Sequence, residues 1–285
     1  MSDSAPEISV VIPTYNRAAA LRRNFPYVLA LQGVGEIVVV VDGSSDDTHK
    51  LLAGFDDERV CVINHPQRRG SQAARKTGVE AAHGEWLLML DDDCGAFPDF
   101  ARALLDAARR CGADIVAAPW LHLDPGTEPG EAYARARAAP IPWIGLSTSP
   151  SAFPARDLET PFLPGNALIH RRVFDRVSYD EGLTRNAWRE ETSFYLDACA
   201  AGFRCFMTPE TASFQQDQWQ GGQRLPRAAY EFHALRNNWR FLRRHEHDLR
   251  NRGEIRSASG AELRFAWQRA STHLKGAVGA RLGHR

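Results

Sequence analysis

The 285-residue sequence lacks most of the features that mark a specialised chain. Its five cysteines, Cys61, Cys94, Cys111, Cys199 and Cys205, are odd in number and form no C-x-x-C pair. That spacing excludes a disulfide framework and a structural zinc site, and it fits a reducing compartment. Formal net charge is zero, so no whole-chain attraction to nucleic acid is implied, and none is expected as a partner. Apolar runs such as 37–41 and 86–90 fall far short of the roughly 20 residues a membrane span needs. The first seven residues show no basic stretch followed by an apolar one, which argues against a secretory signal. The expectation is a cytoplasmic protein, at most peripheral to the inner face of a membrane. There is no internal repeat, no low-complexity tract and no G-x-G-x-x-G loop, which removes a Rossmann dehydrogenase.

What is present is a hydrophobic share of 44% with 25% charged residues, enough for one large core. The charge is unevenly spread. From Arg224 onward fourteen basic residues face five acidic ones. Such a tail suits membrane lipid, a phosphorylated substrate or the neighbouring subunit of a homodimer; a solvated arginine-rich helical face is the plainer alternative.

Short β-branched runs at 8–13, 36–41, 60–64, 86–90 and 114–118 alternate with helical spacing at 17–31, 46–53, 71–82 and 101–111. This pattern predicts βαβ units and a mostly parallel α/β sheet flanked by helices over the first 120 residues. In such sheets ligands bind beyond the carboxyl ends of the strands. There the sequence places Thr14-Tyr15-Asn16, Asp42-Gly43-Ser44, Arg68-Arg69-Gly70 and Asp91-Asp92-Asp93. Residues 123–164 read as an irregular Pro- and Gly-rich insertion with a helical stretch at 131–138. Further on the spacing predicts strands at 166–170 and 204–207, and helices at 171–177, 189–201, 227–247 and 261–274.

Three adjacent carboxylates repel one another, so folding alone does not favour them. Either they form a solvated acidic turn before the next helix, or a hard cation such as Mg²⁺ or Mn²⁺ removes the repulsion. A second acidic pair, Glu190-Glu191, opens a predicted helix, where the dipole keeps a carboxylate ionised as a general base must be. His233, Arg236 and Asn237 share a helical face. Trp120, Trp143, Trp188 and Trp219 are either sugar platforms or core.

Taken in order, the segments 8–17, 37–48, 70–78 and 87–93, with a further stretch at 165–202, resemble family 2 of the glycosyltransferases. The resemblance implies a GT-A type catalytic domain over 1–222, with a nucleotide-binding half at 1–120 and an acceptor-side half at 121–222. Residues 223–285 would form a helical basic extension. It implies sugar transfer, with inversion, from a UDP- or dTDP-linked donor to an acceptor hydroxyl in glycan or secondary-metabolite biosynthesis. Pro13, Tyr15 and Asn16 would receive the nucleotide base, Asp42 would hydrogen-bond it, and Arg75 would lie near base and phosphates. Asp91 and Asp92 would grip ribose and diphosphate, with Asp93 and Asp91 as metal ligands. Gly165 and Asn166 would underlie the donor sugar, Glu191 would be the base, and Glu190 its helper. Gly221-Gly222-Gln223, His233 and Arg236 match elements near metal and diphosphate. Two departures stand out: Glu191 replaces the usual Asp, and glutamines (Gln215, Gln216, Gln218) stand where relatives often carry a His. Asp42, Tyr15, Arg75 and His233 each keep a structural alternative as turn cap, packing residue, surface arginine or core histidine. A sugar-nucleotide nucleotidyltransferase and a non-catalytic sugar- or nucleotide-binding subunit of a synthase are the competing functions.

Overall fold

The computed structural model describes residues 6–216 and 225–282 apart from Pro125, Pro150 and Thr184, with side chains up to Ser271. The elements begin with β1 (Ile8–Thr14), α1 (Ala18–Leu29), β2 (Glu36–Asp42), α2 (Thr48–Leu52), β3 (Val60–His65), α3 (Ser71–Ala81) and β4 (Trp86–Met89). Next come β5 (Cys94–Ala96), α4 (Phe100–Cys111), β6 (Ile115–Ala117), β7 (Trp120–Leu123), α5 (Pro129–Arg137) and β8 (Leu158–Glu159). The chain ends through β9 (Ala167–His170), α6 (Glu190–Ala200), β10 (Cys205–Met207), β11 (Ser213–Gln216), α7 (Arg227–Asn251) and α8 (Ala258–Leu282).

The chain divides into two compact units, residues 1–180 with 194–224, and residues 181–193 with 225–285. The first is built on an eight-stranded sheet of order β3-β2-β1-β4-β9-β6-β10-β8. β1 pairs in parallel with both β2 and β4, and β2 with β3. Here the expected parallel sheet is found. β9 runs antiparallel between β4 and β6, and β8 closes the edge antiparallel to β10.

The near-continuous apolar runs of β1, β2 and β4 follow from burial on both faces of the sheet. Val10, Ile12, Val39, Val41 and Leu88 point to one side, against Leu21, Phe25 and Val28 of α1 and Leu104 of α4. Val11, Val38, Val40, Leu87 and Met89 point to the other, with Ala74 of α3 and Phe194 of α6. Helix α3 lies so close to the sheet that a Cβ at Gly78 would stand 2.4 Å from a methyl of Val11.

Sequence and structure part company at three places. Residues 171–177 do not form a helix but a 3-10 turn, Arg171–Val173. The Arg171 guanidinium reaches the carbonyls of Val79, Ala82 and Gly84, which anchors the chain before a second turn can form. The insertion 123–164 holds the expected helix, here α5, and also the short strand β8, which its composition does not suggest; β7 leads into it. With β5 and β11, β7 builds a second, three-stranded sheet, whose core takes in Leu121, Phe153 and Phe214, with Tyr133 of α5 packed against it. Helices α7 and α8 both outrun their expected ends. Residues 181–193 belong with those two helices in the second unit.

Candidate functional site

The carboxyl ends of β1 and β2 are tied to each other by Asn16, whose backbone is left-handed at φ 51°. Its side-chain oxygen accepts from the Ser45 amide at 2.7 Å, and its own amide donates to the Ser44 hydroxyl at 2.9 Å. The amides of Arg17 and Ala18 donate to Thr48 and Asp46 on the same neighbouring loop. Asparagine is among the few residues that adopt this conformation cheaply. Its role here is to weld two strand-end loops, and so to fix Tyr15 beside them. The Arg68 guanidinium lies over the Tyr15 ring, 4.6 Å from its centre.

Asp42 is buried and heavily engaged. One carboxylate oxygen accepts from His65 Nδ1 and the Arg69 amide, both at 2.8 Å, and the other from the Gly70 amide at 2.7 Å. His65 is held in turn by Thr77 at 3.0 Å. Asp42 therefore does not cap its own turn; it fixes the 65–70 loop. Next to it Gly43, at φ +69°, lies so close to that loop that a Cβ would meet the Arg68 amide at 2.5 Å, a position only glycine fills without strain.

The acid triplet occupies the turn between β4 and β5. Asp91 receives the Arg75 guanidinium at 2.9 Å, and its amide donates to the Asn166 side chain at 3.2 Å. Asn166, buried after Gly165, also donates to Ser213 of β11 at 3.1 Å. Arg75 is itself buried, so it is not a surface arginine. Arg17 spans the other two acids, 3.7 Å from Asp92 and 3.2 Å from Asp93. Burial, helped by the Asp93 charge and opposed by Arg17, pushes the Asp92 carboxyl up to about 7. Burial and the Asp91 charge also raise Asp93, against Arg17 and a hydrogen bond from Gln215. The Cys94 thiol lies 3.6 Å from Asp93 and is held protonated, well above its ordinary range, by burial and by that same carboxylate. One ligand atom each from Asp91, Asp93 and Cys94 falls within 4.8 Å of the others. Burial and mutual repulsion leave these acids short of positive charge, so the Asp91 and Asp93 carboxylates fit a hard divalent cation, whereas the protonated Cys94 thiol beside them is not a ligand for such an ion.

A consequence for stability can be measured without any ligand. Asp92 titrates near 7 when folded and near 3.8 when unfolded, so its folded form holds the proton longer. Stability should then fall as pH rises from about 4 to about 7, and level off above that. Asp92→Asn should flatten this slope, leaving only the part due to Asp93, and raise the metal-free melting temperature at pH 7.5 by several degrees, on the order of 1–2 kcal/mol. Thermal melts of both proteins between pH 4 and 8 check this; parallel curves would refute it.

The second unit carries the other acid pair. Arg185, Ala187 and Arg189 all have positive φ, at 67°, 49° and 71°. Such non-glycine conformations cost on the order of 1–3 kcal/mol each and persist only where neighbours enforce them. Helix α7 supplies the enforcement. Arg189 donates to Asn238 at 3.2 Å and lies over the Phe241 ring, while burial lowers its guanidinium to about 10. Asn237 donates to Asn186 at 3.1 Å, and Asn186 donates to the Tyr230 carbonyl at 3.2 Å. Ser193 hydrogen-bonds His245 at 2.8 Å. Glu190 and Glu191 then open α6, Glu190 fully buried and Glu191 only partly so. In this unit Arg236 is exposed, and His233 is partly buried, its Nδ1 without a hydrogen-bond partner among the described residues. His233 is not part of the ligand group found among the described residues. Gly221-Gly222-Gln223, Gln218 and Trp219 lie outside those residues.

The triplet thus meets Arg75 and Asn166. Arg17, Cys94 and Gln215 were not foreseen as its neighbours. Arg17 reads in sequence as a helix start, and Gln215 comes opposite Cys94 only through the β11–β5 pairing.

Comparison with known proteins bears on this arrangement. A model of the Glycosyl transferase family 2 matches residues 9–178. The succinoglycan biosynthesis protein ExoO of Rhizobium meliloti is 30% identical over 73% of this chain and 60% of its own length. The glycosyltransferase AglE of Haloferax volcanii is 29% identical over 41% of this chain and 40% of its own. This chain thus spans between 40% and 60% of these two relatives. Among solved structures, S. aureus TarS 1-349 in complex with UDP shares the fold, with a TM-score of 0.55 at 16% identity, over 84% of this chain and 71% of that one.

Proposed function

This chain belongs to glycosyltransferase family 2, and from that premise we propose that it transfers a sugar from a UDP- or dTDP-linked donor to an acceptor hydroxyl in glycan biosynthesis. The observation that carries the reading is the acid triplet in the turn after β4, Asp93 buried and Asp91 and Asp92 partly so, whose charge is only partly offset by Arg17 and Arg75. A Mg²⁺ or Mn²⁺ ion bound by Asp91 and Asp93 would supply the positive charge a departing nucleoside diphosphate needs.

The remaining work falls to side chains. Tyr15 offers one ring face to a base while Arg68 covers the other. Asp42, two of whose bonds hold the 69–70 backbone, keeps one acceptor position on the oxygen that Gly70 engages, enough for a single base N–H. Asn16 ties the base side to the 44–45 loop, and Pro13, near the end of β1, leads into it. Arg75 directs Asp91, and Asn166 fixes the turn from below. Glu191, at the start of α6 where the helix dipole favours a charged carboxylate, takes the proton from the acceptor hydroxyl, and the attack proceeds with inversion. Glu190, fully buried, orients this turn. By the family resemblance Arg236 of α7 approaches the diphosphate, and His233 completes the metal shell or contacts phosphate.

The test is a panel of single nucleotide sugars incubated with Mn²⁺ and no acceptor. Release of UDP or dTDP from one of them, abolished by chelation, supports the reading. Formation of a nucleoside triphosphate from pyrophosphate would replace it with nucleotidyl transfer, and tight binding with no turnover would replace it with a binding subunit.

A further inference from the structure

The exposed apolar side chains of the second unit are concentrated on its two long helices and follow helical spacing. Phe232 and Trp239 on α7 are 63% and 40% exposed, and Leu263 and Trp267 on α8 are each 72% exposed. On α7 the exposed residues Phe232, Arg236, Trp239, Arg243 and Arg250 recur every three, four or seven positions. They form one stripe about 27 Å long, opposite the buried face of Ala234, Asn238, Phe241 and His245. Arg243 leans over the Trp239 ring at 5.6 Å. On α8, Leu263 and Trp267 lie one turn apart, with Ala270 exposed beyond them.

The two helices form an antiparallel hairpin, fixed by Asn238 with Glu262 and by Arg269 with Glu231. On each helix the stripe sits about half a turn away from the residues that hold segment 181–193. Those residues are Asn237 and Asn238 on α7, and Phe265 and Arg269, both against Trp188, on α8. The two stripes therefore fall on the same side of the hairpin.

Charge identifies the occupant. Between residues 227 and 271 ten arginines stand against five acidic residues. None of those five is in the exposed class, whereas Arg227, Arg236, Arg240, Arg243, Arg244, Arg250, Arg252 and Arg264 are. A second copy would bring the same positive charge to the contact and be repelled. A surface of tryptophan, phenylalanine and leucine interleaved with arginine matches the boundary of an anionic bilayer. There the indole rings sit at headgroup depth and the guanidinium groups meet lipid phosphates. We infer that the side of the α7–α8 hairpin carrying Phe232, Trp239, Leu263 and Trp267 docks the protein onto an anionic lipid surface. The inference is independent of the donor and base assignments.

The experiment is sedimentation of the full chain with vesicles, either phosphatidylcholine alone or phosphatidylcholine with an equal share of phosphatidylglycerol. The protein should bind the mixed vesicles, weaken as salt rises, and show a blue shift of its tryptophan emission. Arg243→Gln with Arg250→Gln should weaken partitioning about 30-fold, at roughly fivefold for each arginine. Trp239→Glu with Trp267→Glu should abolish it while unchanged circular dichroism shows that the fold persists. Equal binding by wild type and the tryptophan variant, or none to mixed vesicles, overturns the inference. So does a lipid-free dimer that the tryptophan variant dissolves, because the stripe would then be a subunit interface.

Discussion

Glu191→Gln should reduce transfer to an acceptor by roughly two to four orders of magnitude, the usual worth of a positioned general base. The affinity for UDP should stay within about twofold, because the lost group holds a proton in the transition state and nothing in the ground state. Glutamine preserves the shape of the side chain and its place at the start of α6, so the change isolates charge. Glu190→Gln provides the contrast. That carboxyl is fully buried, and its replacement should register in the melting temperature as well as in the rate. Acceptor kinetics and UDP titration on both variants decide the matter. A Glu190 variant that loses the rate while Glu191→Gln keeps it would reverse the two roles.

Asp93→Ala should produce effects of opposite sign in two measurements. Divalent-ion-dependent release of nucleoside diphosphate should fall about a thousandfold or more, since the carboxylate would hold the ion that stabilises the leaving group. The metal-free protein, relieved of one of three crowded carboxylates, should melt no lower than wild type. Wild type at a hundredfold excess of Mn²⁺ over its dissociation constant gains about 2.7 kcal/mol, several degrees in melting temperature for a chain of this size. The variant should gain almost nothing. An undiminished Mn²⁺ shift in Asp93→Ala would move the ligand role elsewhere, and a large fall in its metal-free stability would make Asp93 a structural residue.

The parts of this protein that could be read from sequence are those governed by local periodicity. Runs such as 8–13 and 37–41 are apolar at every position because both faces of their strands are covered, so strand and parallel pairing follow together. The triplet after β4 is conspicuous because adjacent carboxylates need a reason. The residues that were not legible act at long range. Arg17 reaches Asp92 and Asp93 across more than seventy positions, and Gln215 meets Cys94 only after β11 has paired with β5. The short strands β5, β7 and β11 carry too few residues to show a period of two. The failed helix at 171–177 was undone by a tertiary tether from Arg171, which no local propensity encodes. Asp42 shows an intermediate case. Its position after β2 marked it as important, while its three partners, His65, Arg69 and Gly70, are supplied by the neighbouring loop.

The three left-handed residues before Glu190 also have a bearing on the order in which the chain is made. Arg185, Ala187 and Arg189 are synthesised some forty positions before Tyr230, Asn237 and Asn238, the side chains and carbonyl that hold them in shape. At translation speeds of about 5–20 residues per second, the nucleotide-side sheet can close while this segment still samples its unstrained conformations. The acid pair then acquires its backbone only once α7 has emerged from the ribosome. On the proposed function, a nascent chain would complete its donor side before its acid pair.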